Sequence, residues 1–137
     1  MKEKDLLDKF IIVGEDDIDD KDILEELFSS IDSSVKLHFL NNGEKLVYFL
    51  EIAEAKDLPC LILLDYNMPG LNGAEILSSL QNNNRLEHIP KVIWSTSDAA
   101  IFKNKCLELG ACDYLVKPSS IKDLKNTIQY ILSFCRQ

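Results

Sequence analysis

Polar residues that could do chemistry follow directly after short apolar runs at four places in the chain. Glu15 and Asp16 follow FIIVG, and Asp65 ends LILLD. Ser95 follows VIW, and Lys117 follows DYLV. Carboxylates that meet at one place cannot all stay ionised comfortably, so a proton or a cation must neutralise part of their charge. The residue types therefore predict a charged site, provided that the fold brings these four places together.

Short apolar runs alternate with amphipathic helical patterns along the chain. The spacing predicts strands at residues 10–13, 35–39, 61–64, 92–94 and 114–116. It predicts helices at residues 19–30, 43–55, 73–80 and 99–109, and a final helix capped by Ser119 or Ser120. Five strands that alternate with five helices pair in parallel through right-handed crossovers. We therefore expect an α/β fold with a doubly wound, five-stranded parallel sheet that is covered on both faces.

In a sheet of this kind, a functional site lies beyond the carboxyl ends of the strands. All four polar places come at those ends, so their side chains are expected to share one rim. Oxygen ligands of this type favour Mg²⁺, which needs only one or two carboxylates and keeps several waters. The backbone carbonyl of Asn67 could add a ligand, and the lack of a nearby histidine or cysteine argues against zinc.

The same rim could bind a phosphoryl group. Lys117 would supply a positive charge and Ser95 a hydroxyl donor, and together with Mg²⁺ they could bind the equatorial phosphoryl oxygens. A carboxylate that faces such a group is a competent nucleophile, so Asp65 would form an aspartyl phosphate. Taken alone, Asp65 could equally be the cap of a helix or turn, and only the full set of residues favours the phosphoacceptor.

Several other residues are expected to serve the structure. Asp19, Asp20 and Asp22 lie at the start of the first helix, where negative side chains stabilise the helix dipole. Asp98 is expected to be the N-cap of the fourth helix. Trp94 is expected in the core, and because Ser95 is its neighbour, its fluorescence could report on the site.

The chain resembles the receiver domain of two-component response regulators, on the segments IIVGEDD at 11–17, LLDYNMPGLNG at 63–73, VIWSTSD at 92–98 and GACDYLVKP at 110–118. The resemblance implies a flavodoxin-like (βα)₅ fold with strand order 2-1-3-4-5. The QNNNRLEHIP loop and WSTSD are similar to those of single-domain receivers that often work with phytochrome-type kinases. We therefore expect one receiver domain over residues 1–137, with its core at about 9–135 and no output domain.

The resemblance implies roles for the acidic rim residues. Asp65 matches the phosphoacceptor of the family. Asp16 matches the acidic residue that binds Mg²⁺ directly, and Glu15 matches its neighbour, which acts largely through water. Glu15 stands where Asp is more usual, and its longer side chain affects the fine geometry expected of the metal site.

The resemblance also implies a conformational switch. Ser95 matches the switch hydroxyl, Tyr114 the switch aromatic and Lys117 the phosphate-binding lysine. Ser95 replaces the more frequent Thr, which preserves the hydroxyl and loses one methyl group. The Lys117–Pro118 peptide bond is expected to be cis, as in the family.

The function that the resemblance implies is signalling rather than enzymatic turnover. A phosphohistidine of a sensor histidine kinase or histidine phosphotransfer protein would donate its phosphoryl group to Asp65. The domain would catalyse only its own phosphorylation and dephosphorylation, and would switch a surface of helix 4, strand 5 and helix 5 toward a downstream protein target. A docking module of the same fold that works without phosphorylation is the alternative. A phosphohydrolase of the haloacid dehalogenase type is disfavoured, because it needs an Asp where Asn67 stands.

Bulk composition limits the partners and the compartment. A formal net charge of −8 argues against direct binding of nucleic acid or of an anionic membrane surface. The N-terminal MKEKDLLDKF lacks an apolar signal region and no run approaches membrane-spanning length, so a cytoplasmic protein is expected. Cys60, Cys106, Cys112 and Cys135 form no CxxC pair and have apolar neighbours. They are expected to be buried free thiols, with a disulfide or a zinc site as the alternatives.

Overall fold

Five strands and five α-helices alternate along residues 10–135, the part of the chain that the computed structural model describes. The strands are β1 (Phe10–Gly14), β2 (Lys36–Leu40), β3 (Leu61–Asp65), β4 (Lys91–Ser95) and β5 (Asp113–Val116). The helices are α1 (Ile18–Ile31), α2 (Gly43–Ile52), α3 (Gly73–Leu80), α4 (Ala100–Glu108) and α5 (Ile121–Cys135), and a short 3₁₀ turn covers Ala55–Asp57. No helix within residues 10–135 is long and apolar enough to cross a membrane.

The strands form one parallel sheet in the order β2-β1-β3-β4-β5, which confirms the expected fold and strand order. Alternate residues of β3 explain why its sequence is apolar throughout. Ile62 and Leu64 pack with residues of α2 and α3, whereas Leu61 and Leu63 pack with residues of α1 and α5. Because both faces of the strand are covered, every position before Asp65 is buried.

Side-chain caps fix where most of the helices begin. The carboxylate of Asp17 accepts the N–H of Asp20 at the start of α1, and Asn72 forms a capping box at the start of α3. The hydroxyl of Ser120 accepts the N–H of Asp123, so the expected cap of α5 is confirmed. The expectation for Asp98 is wrong, because α4 starts at Ala100 and its cap position, Ala99, has no side-chain acceptor.

The loop after Asp65 is attached to the start of α2 through the backbone. The N–H of Gly43 donates to the carbonyl of Pro69 at 2.9 Å. A Cβ atom at Gly43 would lie only 2.8 Å from the Cβ atom of Leu71, so no other residue fits there without displacing the loop. Gly70 has a φ of +82°, which favours glycine. The loop that carries the end of β3 is therefore held closely against a neighbouring helix.

The cysteines differ from the sequence expectation. Cys60 and Cys135 form a disulfide with a Cα–Cα distance of 5.2 Å, and Cys112 is exposed. Only Cys106 is the buried free thiol that was expected of all four, and burial raises its pKa to about 11. The physical reason is that the start of β3 and the end of α5 lie side by side, at the end of the sheet opposite the rim. A sequence separation of 75 residues hides this proximity.

Candidate functional site

The parallel sheet brings the expected acidic residues and the lysine to one rim. Asp65 ends the central strand β3 and is 7% exposed, and Glu15, directly after β1, has no exposed surface. The Nζ atom of Lys117 lies 2.7 Å from Oδ2 of Asp65 and 3.3 Å from Oε1 of Glu15. Ser95 ends β4, the neighbour of β3, and is buried. The predicted convergence of these four residues at the strand ends is thus what the structure shows.

Lys117 supplies positive charge to several carboxylates at once. Its ammonium also lies 3.2 Å from Oδ2 of Asp20, and the lysine side chain is only 15% exposed. Burial works to lower the pKa of the Lys117 ammonium. The hydrogen bond to Asp65 and the charges of Asp65 and Glu15 outweigh burial, so the pKa is raised above its ordinary value. Lys117 therefore stays charged within the site.

The site disfavours the ionised form of the Glu15 carboxylate. Burial, together with the negative charge of Asp65, raises its pKa from 4.5 to about 7, although the charge of Lys117 works in the opposite direction. Because Glu15, Asp20 and Asp65 all lie close to this one lysine, the site carries more negative charge than Lys117 neutralises. An added cation would favour the ionised form of Glu15.

The two oxygens of Asp65 have different partners. Oδ1 accepts the backbone N–H of Asn67 at 3.0 Å, and Oδ2 accepts the ammonium of Lys117. These contacts fix the plane of the carboxylate at the mouth of the site. They also leave lone pairs on both oxygens, so the group can still act as a ligand or as a nucleophile.

The two expected switch residues meet at one residue of the loop between β4 and α4. The Oγ atom of Ser95 accepts the backbone N–H of Ser97 at 3.1 Å. Tyr114 is buried and turned inward, and its hydroxyl donates to the backbone carbonyl of Ser97 at 2.9 Å. The backbone of Ser97, a contact that the sequence pattern did not predict, therefore connects the hydroxyl of Ser95 to the hydroxyl of Tyr114.

The acidic residues that could hold a cation are not quite those expected. One carboxylate oxygen from each of Glu15, Asp20 and Asp65 lies within 4.8 Å of the others. Asp16 is exposed and lies outside this group, and the metal-binding roles of Asp16 and of the Asn67 carbonyl remain predictions. A set of three carboxylate oxygens matches the oxygen ligands that Mg²⁺ prefers. This cluster could therefore bind a metal ion.

Asp20 was expected to serve only the dipole of α1. It does lie in the first turn of that helix, but its carboxylate also reaches Lys117. Side chains of a helix tilt toward its N-terminus, and the N-terminus of α1 lies at the rim. An acid in the first turn of this helix is therefore directed back toward the site, and this rule could have found Asp20 from the sequence.

The peptide bond between Lys117 and Pro118 is trans, so the expected cis bond is wrong. No cis peptide bond occurs within residues 10–135. The trans isomer is the favoured form of an X–Pro bond. In this form the backbone N–H of Lys117 donates to the carbonyl of Ser95 at 2.7 Å, which extends the pairing of β4 and β5 up to the site.

Comparison with known proteins agrees with this geometry. Residues 11–129 match the family model of the response regulator receiver domain. The two-component response regulator-like protein PRR37 of rice is 36% identical over 94 residues, which are 69% of this chain and 12% of PRR37. The chain thus spans only a small part of that relative.

Two solved structures are similar over nearly their whole length. The Mn²⁺-bound form of the response regulator Rcp1 is 34% identical, with a TM-score of 0.77 and coverage of 92% of this chain and 93% of Rcp1. The phosphorylated cyanobacterial phytochrome response regulator RcpA is 25% identical, with a TM-score of 0.81 and coverage of 94% of each chain. Receiver domains are signalling domains that interact with kinases or phosphotransfer proteins, and are not classical enzymes. The chain belongs to the response regulator receiver domain family.

Proposed function

We propose that Asp65 accepts a phosphoryl group from a phosphohistidine of a sensor histidine kinase or of a histidine phosphotransfer protein. The observation that carries this proposal is the position of the Asp65 carboxylate, at the end of the central strand and 2.7 Å from a charged lysine. In the transfer, an oxygen of Asp65 forms a bond to phosphorus. The bond from phosphorus to the imidazole nitrogen breaks, and its electron pair stays on the imidazole.

Lys117 and Ser95 would bind the transferred group. The ammonium of Lys117 already contacts Asp65, so it can follow the negative charge as this moves from the carboxylate to the phosphoryl oxygens. The Oγ atom of Ser95 accepts the N–H of Ser97, which leaves its own O–H free to donate to a phosphoryl oxygen. Ser95 ends β4, which pairs with β3, and Lys117 follows β5, which pairs with β4, so one sheet supplies the acceptor and its stabilising groups.

Glu15, Asp20 and Asp65 would hold Mg²⁺, with Asp16 and the backbone carbonyl of Asn67 as further candidate ligands. When bound, the ion neutralises charge on the phosphoryl oxygens. Three carboxylates, those of Glu15, Asp20 and Asp65, share the one positive charge of Lys117, and this excess of negative charge supports the assignment. The Mn²⁺ in Rcp1 and the phosphorylation of RcpA support it further.

The consequence of phosphorylation would be a change in a protein-binding surface of α4, β5 and α5. Ile101 is exposed on α4, Val116 on β5 and Ile121 on α5. A contiguous patch of exposed apolar side chains marks a protein interaction site, and we propose that these three residues contribute to one. A movement of Ser95 toward the phosphoryl group would change its contact with Ser97, which Tyr114 shares, and a downstream protein would read the result.

The test is labelling of the whole chain by acetyl phosphate and Mg²⁺, followed by measurement of the intact mass. We expect one phosphoryl group on the wild type and none on Asp65→Asn, with Asp113→Asn as a control that removes an acid of β5 outside the cluster. An adduct that persists on Asp65→Asn would refute the assignment. A second outcome is that the wild type gains no adduct from acetyl phosphate or from a phosphorylated kinase. If beryllofluoride then leaves Trp94 fluorescence unchanged as well, the docking module that works without phosphorylation replaces the proposal.

A further inference from the structure

The ring of Trp94 lies beneath the ammonium of Lys117. Trp94 is the residue before Ser95 on β4, is 3% exposed, and packs in the cluster between the sheet and helices α1 and α5. The Nζ atom of Lys117 lies over the indole, 5.0 Å from the ring centroid. A cation at this distance is attracted to the negative face of the ring, and the attraction is stronger where water is largely excluded.

The indole N–H does not explain why a tryptophan occupies this position. The Nε1 atom of Trp94 is buried, and no hydrogen-bond acceptor reaches it among the residues that the structure describes. A buried donor without a partner destabilises the folded protein, a cost that a phenyl or aliphatic side chain would avoid. What the indole offers beyond its volume is the face of its ring, and that face is turned toward Lys117.

The side of Lys117 that faces the start of α5 borders a cavity, so packing alone does not hold its side chain in place there. A cavity of about 140 Å³ lies beside the pair and is lined by Trp94, Lys117, Pro118 and Ser120, among others. The carboxylates of Asp65, Asp20 and Glu15 draw the ammonium toward the rim. Their attraction changes whenever one of them is protonated, phosphorylated or bound to a cation. The attraction of the neutral ring does not.

We propose that Trp94 is a positioning residue, which holds the ammonium of Lys117 beside Asp65 through the face of its indole ring. The ring provides an attraction that is independent of the charge state of the three carboxylates. Its consequence for phosphoryl transfer rests on the proposed function, in which Lys117 binds the phosphoryl oxygens. Loss of the ring then leaves Lys117 free to occupy the adjacent cavity, and transfer slows by about tenfold, the size expected of one desolvated cation–π contact.

The contact itself is tested by NMR of the metal-free protein, without any phosphoryl donor. The ε-methylene protons of Lys117, assigned with a Lys117→Gln variant, should be shifted upfield by the ring current of the indole. We expect Trp94→Leu to lose this shift and Trp94→Phe to keep part of it. The control is Val92→Ala, which alters a buried residue of the same strand and the same cluster and should leave the shift in place.

The positioning role is tested by the rate of labelling with acetyl phosphate and Mg²⁺. We expect a decrease of about tenfold for Trp94→Leu, a smaller decrease for Trp94→Phe and none for Val92→Ala. Unchanged Lys117 shifts in Trp94→Leu would overturn the inference, and so would an equal loss of rate in Val92→Ala. If the wild type accepts no phosphoryl group from any donor, the proposed function fails, whereas the chemical shifts still decide whether the ring of Trp94 lies against the side chain of Lys117.

Discussion

Replacing Glu15 with glutamine should stabilise the metal-free protein at alkaline pH, even though the change removes an ion pair with Lys117. Glu15 has no exposed surface, and its carboxylate lies beside that of Asp65. Burial, with a contribution from Asp65, raises its pKa from 4.5 to about 7. The unfolded chain therefore releases this proton before the folded protein does as the pH rises. Between about pH 4.5 and 7 the folded protein binds more protons, so its stability falls with rising pH in this window.

The magnitude follows from the two pKa values. A difference of one pKa unit corresponds to about 1.4 kcal/mol. Linkage with an unfolded value of 4.5 and a folded value of about 7 gives a loss of about 2.5 kcal/mol in the free energy of unfolding between about pH 5 and pH 8. Glutamine has nearly the same shape and does not titrate. The stability difference between Glu15→Gln and the wild type should therefore grow by about this amount in favour of the variant.

The assay is urea unfolding of both proteins with a metal chelator present, at several pH values across this window. Glu26→Gln, on the exposed face of α1, is the control for the removal of one negative charge from a chain whose net charge is −8. Stability profiles of wild type and Glu15→Gln that run parallel from about pH 5 to pH 8 would refute the reasoning. Excess Mg²⁺ should narrow the stability difference. A ligand that binds the folded protein stabilises it, and the wild type keeps the Glu15 carboxylate of the acidic cluster that the variant lacks.

Two further predictions concern regions away from the rim. The guanidinium of Arg85 donates to the carbonyls of Leu50 and Glu51 at the end of α2. Arg85→Met should therefore lower the free energy of unfolding, measured by urea titration, by about 2–4 kcal/mol, and Arg85→Lys should lower it by less. An unchanged urea midpoint for Arg85→Met would contradict this role. Reduction of the Cys60–Cys135 disulfide should destabilise the protein by about 4 kcal/mol, because it opens a loop of 75 residues. Cys135→Ser should reproduce the effect and become insensitive to reductant, and equal stability before and after reduction would show that the bond does not constrain the chain.

The convergence of the rim residues could be predicted from the sequence because it depends on rules for parallel sheets. An apolar run such as that before Asp65 indicates a strand buried on both faces, and parallel strands place their carboxyl ends at one edge. Given Asp65, Ser95 and Lys117 at the ends of three strands, their proximity follows without any knowledge of side-chain packing. The strand order came from the resemblance of the sequence to a family.

Of the features that were missed, the inward direction of Asp20 could have been found from the sequence, whereas the others depend on solvent exposure or on tertiary placement that local patterns do not encode. The inward direction of Asp20 follows from the side-chain tilt of α1 once that helix is known to begin at the rim. Helix α4 starts at Ala100 and does not use Asp98 as its N-cap. At an exposed helix end, water can accept the hydrogen bonds of the first backbone N–H groups, so no side-chain acceptor is needed. Predicting the disulfide requires knowing that Cys60, just before β3, lies beside Cys135, at the end of α5. The sequence alone does not show this, since four cysteines allow three different pairings.

The attachment of the loop after Asp65 to α2 makes the two sides of the site mechanically unequal. On one side, a backbone hydrogen bond and the close approach of Gly43 to Leu71 leave little room for displacement. On the other side, the hydroxyls of Ser95 and Tyr114 are joined by hydrogen bonds to the backbone of Ser97. We therefore expect a disturbance at Asp65 to meet more resistance toward α2 than toward α4. If Asp65 is phosphorylated as proposed, the resulting change would travel toward α4, in a direction set by the fold before any partner binds.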